Sequence, residues 1–318
     1  MLKFIKTWTL PIAMLVGALA YFLYTATPVL NGTHAMALRT VSVVQPTLLF
    51  AMLLITFCKV EPRDLRLSPW QLWCLALQVG TFLGLAALLV AMPASHWRIV
   101  VESAMLCMIC PTATAAAVVT RKLGGNAGTL MSYTIAINLL VAVLIPAVVP
   151  LIHPQPGQGF LPALLLIMGK VFPLLLGPFV LSVVMRRLWP RLTAGLASQR
   201  DLPFYLWAVS LSLAIAMSVR SIVHTHCPVT YQLAIAVVSL LACVVQFTVG
   251  RWAGRHYGEP VTAAQACGQK NTVLIIWMGY TFMTPITSIA GGFYSVWHNV
   301  WNSYQLAHAH PTNEERAQ

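Results

Sequence analysis

The sequence predicts an all-α membrane protein that crosses the bilayer about ten times. Of its 318 residues, 58% are hydrophobic and only 8% are charged, whereas about a quarter of the residues in soluble domains carry charge. Apolar windows close to the ~20 residues that a helix needs to span a bilayer recur along the whole chain. The connections between them are short, and none is long enough to form a separate soluble domain.

The predicted spans divide into two sets of five. In chain order they lie near 8–27, 41–59, 71–92, 99–120, 127–149, 159–185, 203–223, 231–250, 261–282 and 284–305. The first follows Lys3 and Lys6 as a signal peptide would, but its apolar run approaches spanning length, so we expect a retained helix. Because an odd number of spans reverses orientation, residues 1–150 and 151–318 are predicted to be inverted five-helix repeats.

Positive charge alternates between the two sides of the predicted bundle. A net charge of +12 also suits chains that bind nucleic acid or acidic lipid. With a cytoplasmic N-terminus, however, the outer side receives only Arg39, Arg98 and Arg220, and the inner side receives Lys3, Lys6, Lys59, Arg63, Arg66, Arg121, Lys122, Arg186, Arg187, Arg191, Arg200, Arg251, Arg255 and Arg316. This bias follows the positive-inside rule. It predicts a protein of a bacterial inner (plasma) membrane with both termini cytoplasmic and no nucleic-acid partner.

Corresponding spans of the two halves share polar features. Span 3 contains Gln78–Gly84 and span 8 contains Gln246–Gly250, and each places an amide followed by glycine in an otherwise apolar helix. Spans 4 and 9 are both interrupted. In span 4, Pro111 removes a backbone donor and clashes with the preceding turn, and in span 9 the weak point is Gly268. Two interrupted helices in corresponding positions indicate a transporter site, although a proline kink and a packing glycine are the simpler alternative.

Lys270 lies near the middle of span 9, within the polar run Gln265–Asn271. An ionisable group at bilayer depth costs about 2.5–3.5 kcal/mol on insertion scales, so it usually faces a cavity or a partner. Lys270 is about nine residues, or ~13 Å, into the span, so that reaching the interface would strain the side chain. The alternative is that Lys270 pairs with helix ends or snorkels.

Three segments carry a resemblance to a known family. They are Pro111–Thr120 with Gly125-Asn126, Gly268–Asn271, and Phe293–Asn299. Through them the chain resembles the bile acid:sodium symporter family, within the wider superfamily that includes arsenite exporters and auxin-type carriers. The third segment is the specific one. The resemblance implies that spans 4 and 9 cross at their breaks in a core domain of spans 3–5 and 8–10. Spans 1, 2, 6 and 7 would form a panel domain, with substrate in the cleft between the domains and alternating access by their relative motion.

The chain departs from the family at its two sodium sites. The family's serine–asparagine pair in span 4 reads Ala116 and Ala117, its span-9 glutamate reads Ala266, and its span-9 glutamine reads Lys270. The resemblance still implies substrate or ion contacts for Asn271, Gln269, Gln265, Thr112, Thr114, Gln78, Thr134, Asn138, His298 and Asn299. For His298 and Asn299, hydrogen bonding between helices is an equal alternative.

These departures suggest that Lys270 is a tethered cation in place of the coupling sodium. A sodium ion needs several oxygen ligands, alanine supplies none from its side chain, and an ammonium repels a second cation strongly at low dielectric. Two cycles follow. Either Lys270 stays charged and helps to hold an organic anion, as in a uniporter or exchanger, or desolvation lets it load and release a proton, so that H+ is the coupling partner.

The sequence therefore predicts a secondary transporter of a small organic anion without conventional sodium coupling. Efflux of an oxyanion such as arsenite is an alternative, because the thiol of Cys110 beside Pro111 suits soft ions. A non-transporting ligand sensor on the same scaffold is another. No Walker-type loop, hydrolase metal spacing or nucleophile triad is present, so we expect neither an enzyme nor a cofactor or metal.

The remaining polar residues have more ordinary interpretations. Glu102 follows Arg98 by four residues, which predicts an i,i+4 ion pair. Lys170 in span 6 either lines the cleft or reaches towards the outer interface. The seven cysteines are scattered, and Cys107 and Cys110 are read as small packing residues. A surface metal site at His224, His226 and Cys227 is a weak alternative.

Overall fold

A computed structural model describes residues 2–60, 65–93, 95–154, 157–199, 202–224 and 227–308, and this part of the chain is helical apart from short connections. A 3₁₀ helix spans Pro28–Thr33. The α-helices are α1 (Leu2–Ala26), α2 (His34–Cys58), α3 (Trp70–Ala91), α4 (Arg98–Ile109), α5 (Ala116–Lys122), α6 (Ala127–Ile152), α7 (Phe160–Leu175), α8 (Gly177–Leu188), α9 (Pro190–Ser198), α10 (Leu202–His224), α11 (Val229–Arg255), α12 (Pro260–Gly268), α13 (Thr272–Phe282) and α14 (Ile289–Ala307).

The chain is a helical membrane protein. Five helices are long and apolar enough to cross a bilayer, namely α2, α3, α6, α10 from Tyr205, and α11. The pair α7 and α8 makes a sixth span if the 45° bend between them lies within one crossing. Large apolar side chains such as Leu72, Leu161 and Leu233 are exposed on these helices, as expected of surfaces that face lipid.

Two local features differ from the sequence expectation. The predicted span at 159–185 is bent between α7 and α8, where Pro178 is the second residue of α8. Proline has no amide hydrogen to donate back to the last turn of α7, and its ring crowds that turn. The short helix α9 was not predicted, and it begins at Pro190, which is favourable at the first position of a helix.

Glycines allow α11 and α12 to pack with their backbones in close contact. A Cβ atom on Gly250 would lie 2.5 Å from the carbonyl oxygen of Ala263. Gly84, its proposed counterpart in α3, has no such neighbour within 4 Å of a Cβ position. The two glycines therefore have different roles, although each follows a glutamine within the same apolar helix.

Two carboxylates tie the interrupted helices to their neighbours. Glu102 of α4 forms an ion pair with Arg98 at 3.0 Å, which confirms the predicted i,i+4 pair. It also contacts His153 at 3.1 Å and Thr287 at 3.3 Å. These contacts join α4 to the end of α6 and to the connection before α14.

Glu259 has the equivalent role immediately before α12. Its carboxylate accepts hydrogen bonds from the Trp70 indole at 2.5 Å, from Thr129 at 3.1 Å and from Asn126 at 3.2 Å. These contacts join α12 to the start of α3 and of α6. Both carboxylates of the described residues are thus engaged in structural contacts.

We predict that Gly250→Ala destabilises the protein and that Gly84→Ala does not. The methyl group added at residue 250 would push α11 away from α12, and overpacking of this kind costs about 1–3 kcal/mol. At residue 84 alanine has room and is the better helix former. Thermal unfolding of the purified variants in detergent measures the difference. Equal midpoints for the two variants would contradict this account of the α11–α12 contact.

Candidate functional site

The two interrupted helices meet at their breaks. The first break separates α4 from α5, and the second separates α12 from α13. An antiparallel bridge pairs Thr112 with Lys270, in which the amide of Ala113 donates to Gln269 O at 2.8 Å and the amide of Asn271 donates to Pro111 O at 2.9 Å. Backbone groups freed at one break therefore find partners at the other.

The structure has both helix breaks at the predicted positions, but Gly268 is not the cause of the second break. Gly268 is the last residue of α12 and has no unusual backbone conformation. A Cβ atom at this position would lie within 2.7 Å of the Phe247 ring, so the glycine is required by packing. The restart of the helix is set by Asn271, whose side chain caps α13 through the amide of Leu274 at 3.3 Å.

Side chains reinforce the crossing. The Thr112 hydroxyl donates to Ala266 O at 2.6 Å, and the Cys110 thiol donates to Asn271 O at 3.0 Å. Both residues are almost completely buried. The hydroxyl of Thr112, predicted as a substrate contact, is thus engaged with α12, whereas Thr114 is half-buried in the first break.

The glutamines of α3 and α11 each form a hydrogen bond to one of the interrupted helices. Gln78 donates to the side chain of Gln246 at 3.2 Å and to Cys267 O, on α12, at 3.4 Å. Gln246 donates to Cys107 O, on α4, at 3.1 Å. Each glutamine therefore reaches the interrupted helix of the other half of the chain.

Lys270 is buried at the crossing with its amine unpaired. The residue is 1% exposed, and Nζ has no hydrogen-bond partner among the described residues. The thiols of Cys267, Cys110, Cys74 and Cys107 are close enough to interact electrostatically with the amine. No carboxylate is in this set, since Glu102 and Glu259 are engaged elsewhere. A buried ammonium without a partner is costly, so this amine identifies the crossing as the candidate functional site.

The two predicted span-5 residues are bonded within their own helix. The Thr134 hydroxyl donates to Leu130 O at 2.9 Å, and the Asn138 amide donates to Thr134 O at 2.7 Å. The Asn138 Oδ1 atom is buried and has no hydrogen-bond partner in the part of the chain that the structure describes. No described hydrogen bond joins either side chain to the crossing.

A second polar cluster connects α12 with α14. Gln265 donates to Asn302 at 2.9 Å and to Gln305 at 2.8 Å. His298 is buried against the Tyr294 ring, with centroids 5.7 Å apart, and half-buried Asn299 donates to Ser295 O at 2.5 Å.

Several buried polar atoms of this cluster have no partner among the described residues: Gln265 Oε1, Gln269 Oε1, Ser295 Oγ, His298 Nδ1 and Asn302 Nδ2. Buried polar atoms in native proteins are normally satisfied by a protein group or by ordered water, so these atoms are candidate contacts for water or a ligand. Sequence reasoning missed Asn302 and Gln305. The spacing of residues 295, 298, 302 and 305 places them on one helical face, and this periodicity was the available signal.

Two further predictions from the sequence concern Lys170 and a metal site in an outer loop. Lys170 is exposed, with its amine 5.8 Å from the centroid of the Phe282 ring at the end of α13. His226, part of the weak outer metal proposal, lies outside the described residues. Within the described part of the chain, no three histidine, cysteine or acidic side chains are placed to hold a metal ion.

Comparison with known proteins adds no assignment. No protein-family model matches the chain, and no curated protein matches it.

We predict that Thr112→Val destabilises the crossing, whereas Thr120→Val does not. The first change leaves Ala266 O without its donor, and an unsatisfied buried group costs about 1–3 kcal/mol. Thr120 is a matched control because it is also buried but its hydroxyl has no partner among the described residues. Unfolding midpoints in detergent should fall for the first variant alone. An equal loss in both would show that hydroxyl burial, and not the bond to Ala266, sets the stability.

Proposed function

We propose that this protein is a secondary transporter of a small organic anion that works by alternating access without sodium coupling. We further propose that it is a divergent member of the bile acid:sodium symporter family. The observation that carries the proposal is the crossing of two broken helices around the buried, unpaired amine of Lys270. Broken helices at a crossing are a common way for membrane transporters to build a binding site.

The proposed architecture has ten spans in two inverted repeats, residues 1–150 and 151–318. The spans would be α1, α2, α3, α4–α5, α6, α7–α8, α10, α11, α12–α13 and α14. The reciprocal bonds of Gln78 and Gln246 support the repeat. In this arrangement spans 3–5 and 8–10 form the core domain and spans 1, 2, 6 and 7 form the panel domain, in a bacterial inner membrane with both termini cytoplasmic.

The surroundings of Lys270 support its role as a tethered cation. Cys107 lies in the last turn of α4 and Cys267 in the last turn of α12, so the amine near both thiols is also near these two helix ends. The carbonyl ends of helices carry partial negative charge and favour a cation. The residues at the family's sodium-ligand positions, Ala116, Ala117 and Ala266, are buried and provide no side-chain oxygen. In this proposal the ammonium group of Lys270 takes the place of the coupling sodium ion.

An organic anion suits the same crossing. The positive end of α13 begins there at Thr272, and a helix N-terminus together with a nearby ammonium favours negative charge. The polar cluster around Gln265 and Asn302 offers both donors and acceptors to a ligand or to water. For arsenite, by contrast, the Cys110 thiol that motivates this alternative is already hydrogen-bonded to Asn271 O.

The proposal is tested by uptake of radiolabelled organic anions into proteoliposomes, with and without sodium and with and without a pH gradient. We expect sodium-independent flux in the wild type that falls to the level of empty vesicles in Lys270→Ala. Lys122→Ala, which removes an exposed lysine at the end of α5, should transport normally. Stimulation by the pH gradient would identify proton coupling, and its absence would identify uniport or exchange.

Strict sodium dependence, or flux that survives the loss of Lys270, would overturn the tethered-cation mechanism. Binding of an anion without any flux would favour the ligand-sensor alternative. The unfolding midpoints of the variants should be compared with that of the wild type first, because a buried lysine has packing contacts as well as a charge.

A further inference from the structure

We propose that the substrate carries hydroxyl groups in addition to its negative charge, and that Ser210, Ser218 and Ser221 of α10 bind these groups together with Gln45 of α2. The inference deepens the proposed function and rests on it, because these side chains lie at the boundary across which substrate would pass. A hydroxylated organic anion is thereby favoured over an anion with a plain hydrocarbon body.

Apolar side chains of α2, α10 and α13 form one buried cluster where the proposed panel and core domains meet. Its members are Leu38, Val41, Ala214, Met217, Val273, Ile276 and Tyr280. Side chains three or four positions apart share one face of a helix. The cluster therefore fixes the face that each of the three helices turns towards the boundary.

Serines extend this cluster along α10 in both directions. Ser210 lies four positions before Ala214, and Ser221 lies four positions after Met217, so the four residues form one stripe on the helix. Ser210 and Ser221 are 0% and 1% exposed. Both hydroxyls are therefore directed into the boundary and not towards lipid.

Ser218 faces the core from the adjoining side of α10. A Cβ atom at Gly292, in the first turn of α14, would lie 3.4 Å from the Ser218 hydroxyl oxygen. Gly292 has no side chain that could bond to this hydroxyl, although Ser218 is only 4% exposed. The helix α10 thus presents a third buried hydroxyl to the core.

Gln45 adds an amide group from α2. It follows Val41 by four positions and Leu38 by seven, so that it shares their face of the helix. Gln45 is 4% exposed, and its Nε2 atom has no hydrogen-bond partner among the residues that the structure describes. The amide nitrogen is therefore an available donor at the same boundary.

The three serine hydroxyls of α10 are also unpaired within the described part of the chain. Other buried serines bond back to their own helix, as Ser103 does to Ile99 O at 2.8 Å and Ser182 does to Phe179 O at 2.7 Å. Buried polar groups are nearly always hydrogen-bonded. Four such groups at one boundary without protein partners point to a ligand that supplies them.

Hydroxyl groups of a substrate would satisfy both kinds of side chain. A hydroxyl can donate to a serine and accept from it, and it can accept from the amide of Gln45. A hydrocarbon body would leave all four groups desolvated and unpaired, which is costly for each of them. Sites built to bond a substrate hydroxyl reject the analogue that lacks it, so these side chains would select the hydroxylated anion.

The stripe adjoins the crossing in the proposed topology. There α10 and α13 run in the same direction, so the Ser210 end of the stripe lies beside the first turn of α13, where Val273 joins the cluster. An anion held near Lys270 would reach Ser210 first. Ser221 is eleven residues further along α10, or about 16 Å, so a small anion would meet the hydroxyls in succession.

Two anions of equal charge and carbon number test the inference. Gluconate carries hydroxyl groups along its chain, and hexanoate is the matching anion without them. We expect isothermal titration of the purified protein to give gluconate at least a roughly tenfold higher affinity than hexanoate. Ser210→Ala and Ser218→Ala should each weaken gluconate binding about three- to tenfold, the effect of one lost hydrogen bond, and leave hexanoate binding unchanged.

Ser182→Ala is the matched control, because Ser182 is also buried but its hydroxyl is bonded to Phe179 O in its own helix. It should bind gluconate as the wild type does. If Ser210→Ala does not fold, as judged by its unfolding midpoint, Ser218→Ala carries the expectation alone.

Absence of gluconate binding, equal affinity for the two anions, or an equal loss of affinity in Ser182→Ala would overturn the inference. The titration does not require flux. Hydroxyl-dependent binding without transport in proteoliposomes would reject only the proposed function, whereas transport of hexanoate in preference to gluconate would reject only this inference.

Discussion

The backbone pairing between the two helix breaks is the interaction on which the rest of the structure depends. Lipid offers no partners to peptide groups, so a helix can stop inside an apolar bundle only if other groups satisfy its free amides and carbonyls. The bonds from Ala113 to Gln269 O and from Asn271 to Pro111 O supply them. Each interrupted helix is therefore possible because the other is interrupted at the same place.

The crossing also decides how charge is distributed in the interior. Glu102 and Glu259, the carboxylates of the described residues, hold the interrupted helices to α6 and its neighbours. Lys270 is left among thiols at the carbonyl ends of α4 and α12. The proposed transport role follows from this separation, because a cation that has no carboxylate partner remains available to respond to a proton or to an anion.

Close packing holds this arrangement in position. Gly250 lets α11 lie directly on α12, and Gly268 makes room for the Phe247 ring at the end of α12. Gln78 and Gln246 then connect each half to the broken helix of the other. A motion of the core that changed the crossing would have to move all four segments of the two interrupted helices together. Alternating access by rigid domains would meet this requirement.

The class of protein, its main helical segments and the two breaks could be predicted from the sequence, because apolar length, proline and local polarity act over a few residues. The sequence also singled out Lys270 and the Arg98–Glu102 pair. The partners of these groups became known from the packing of the helices. The pairing of Pro111 with Asn271 and the contact of Gln78 with Gln246 join residues more than a hundred positions apart. The same is true of Lys270 and the thiols of Cys74, Cys107 and Cys110. Such contacts depend on how helices pack, and the order of residues along the chain does not encode that packing locally.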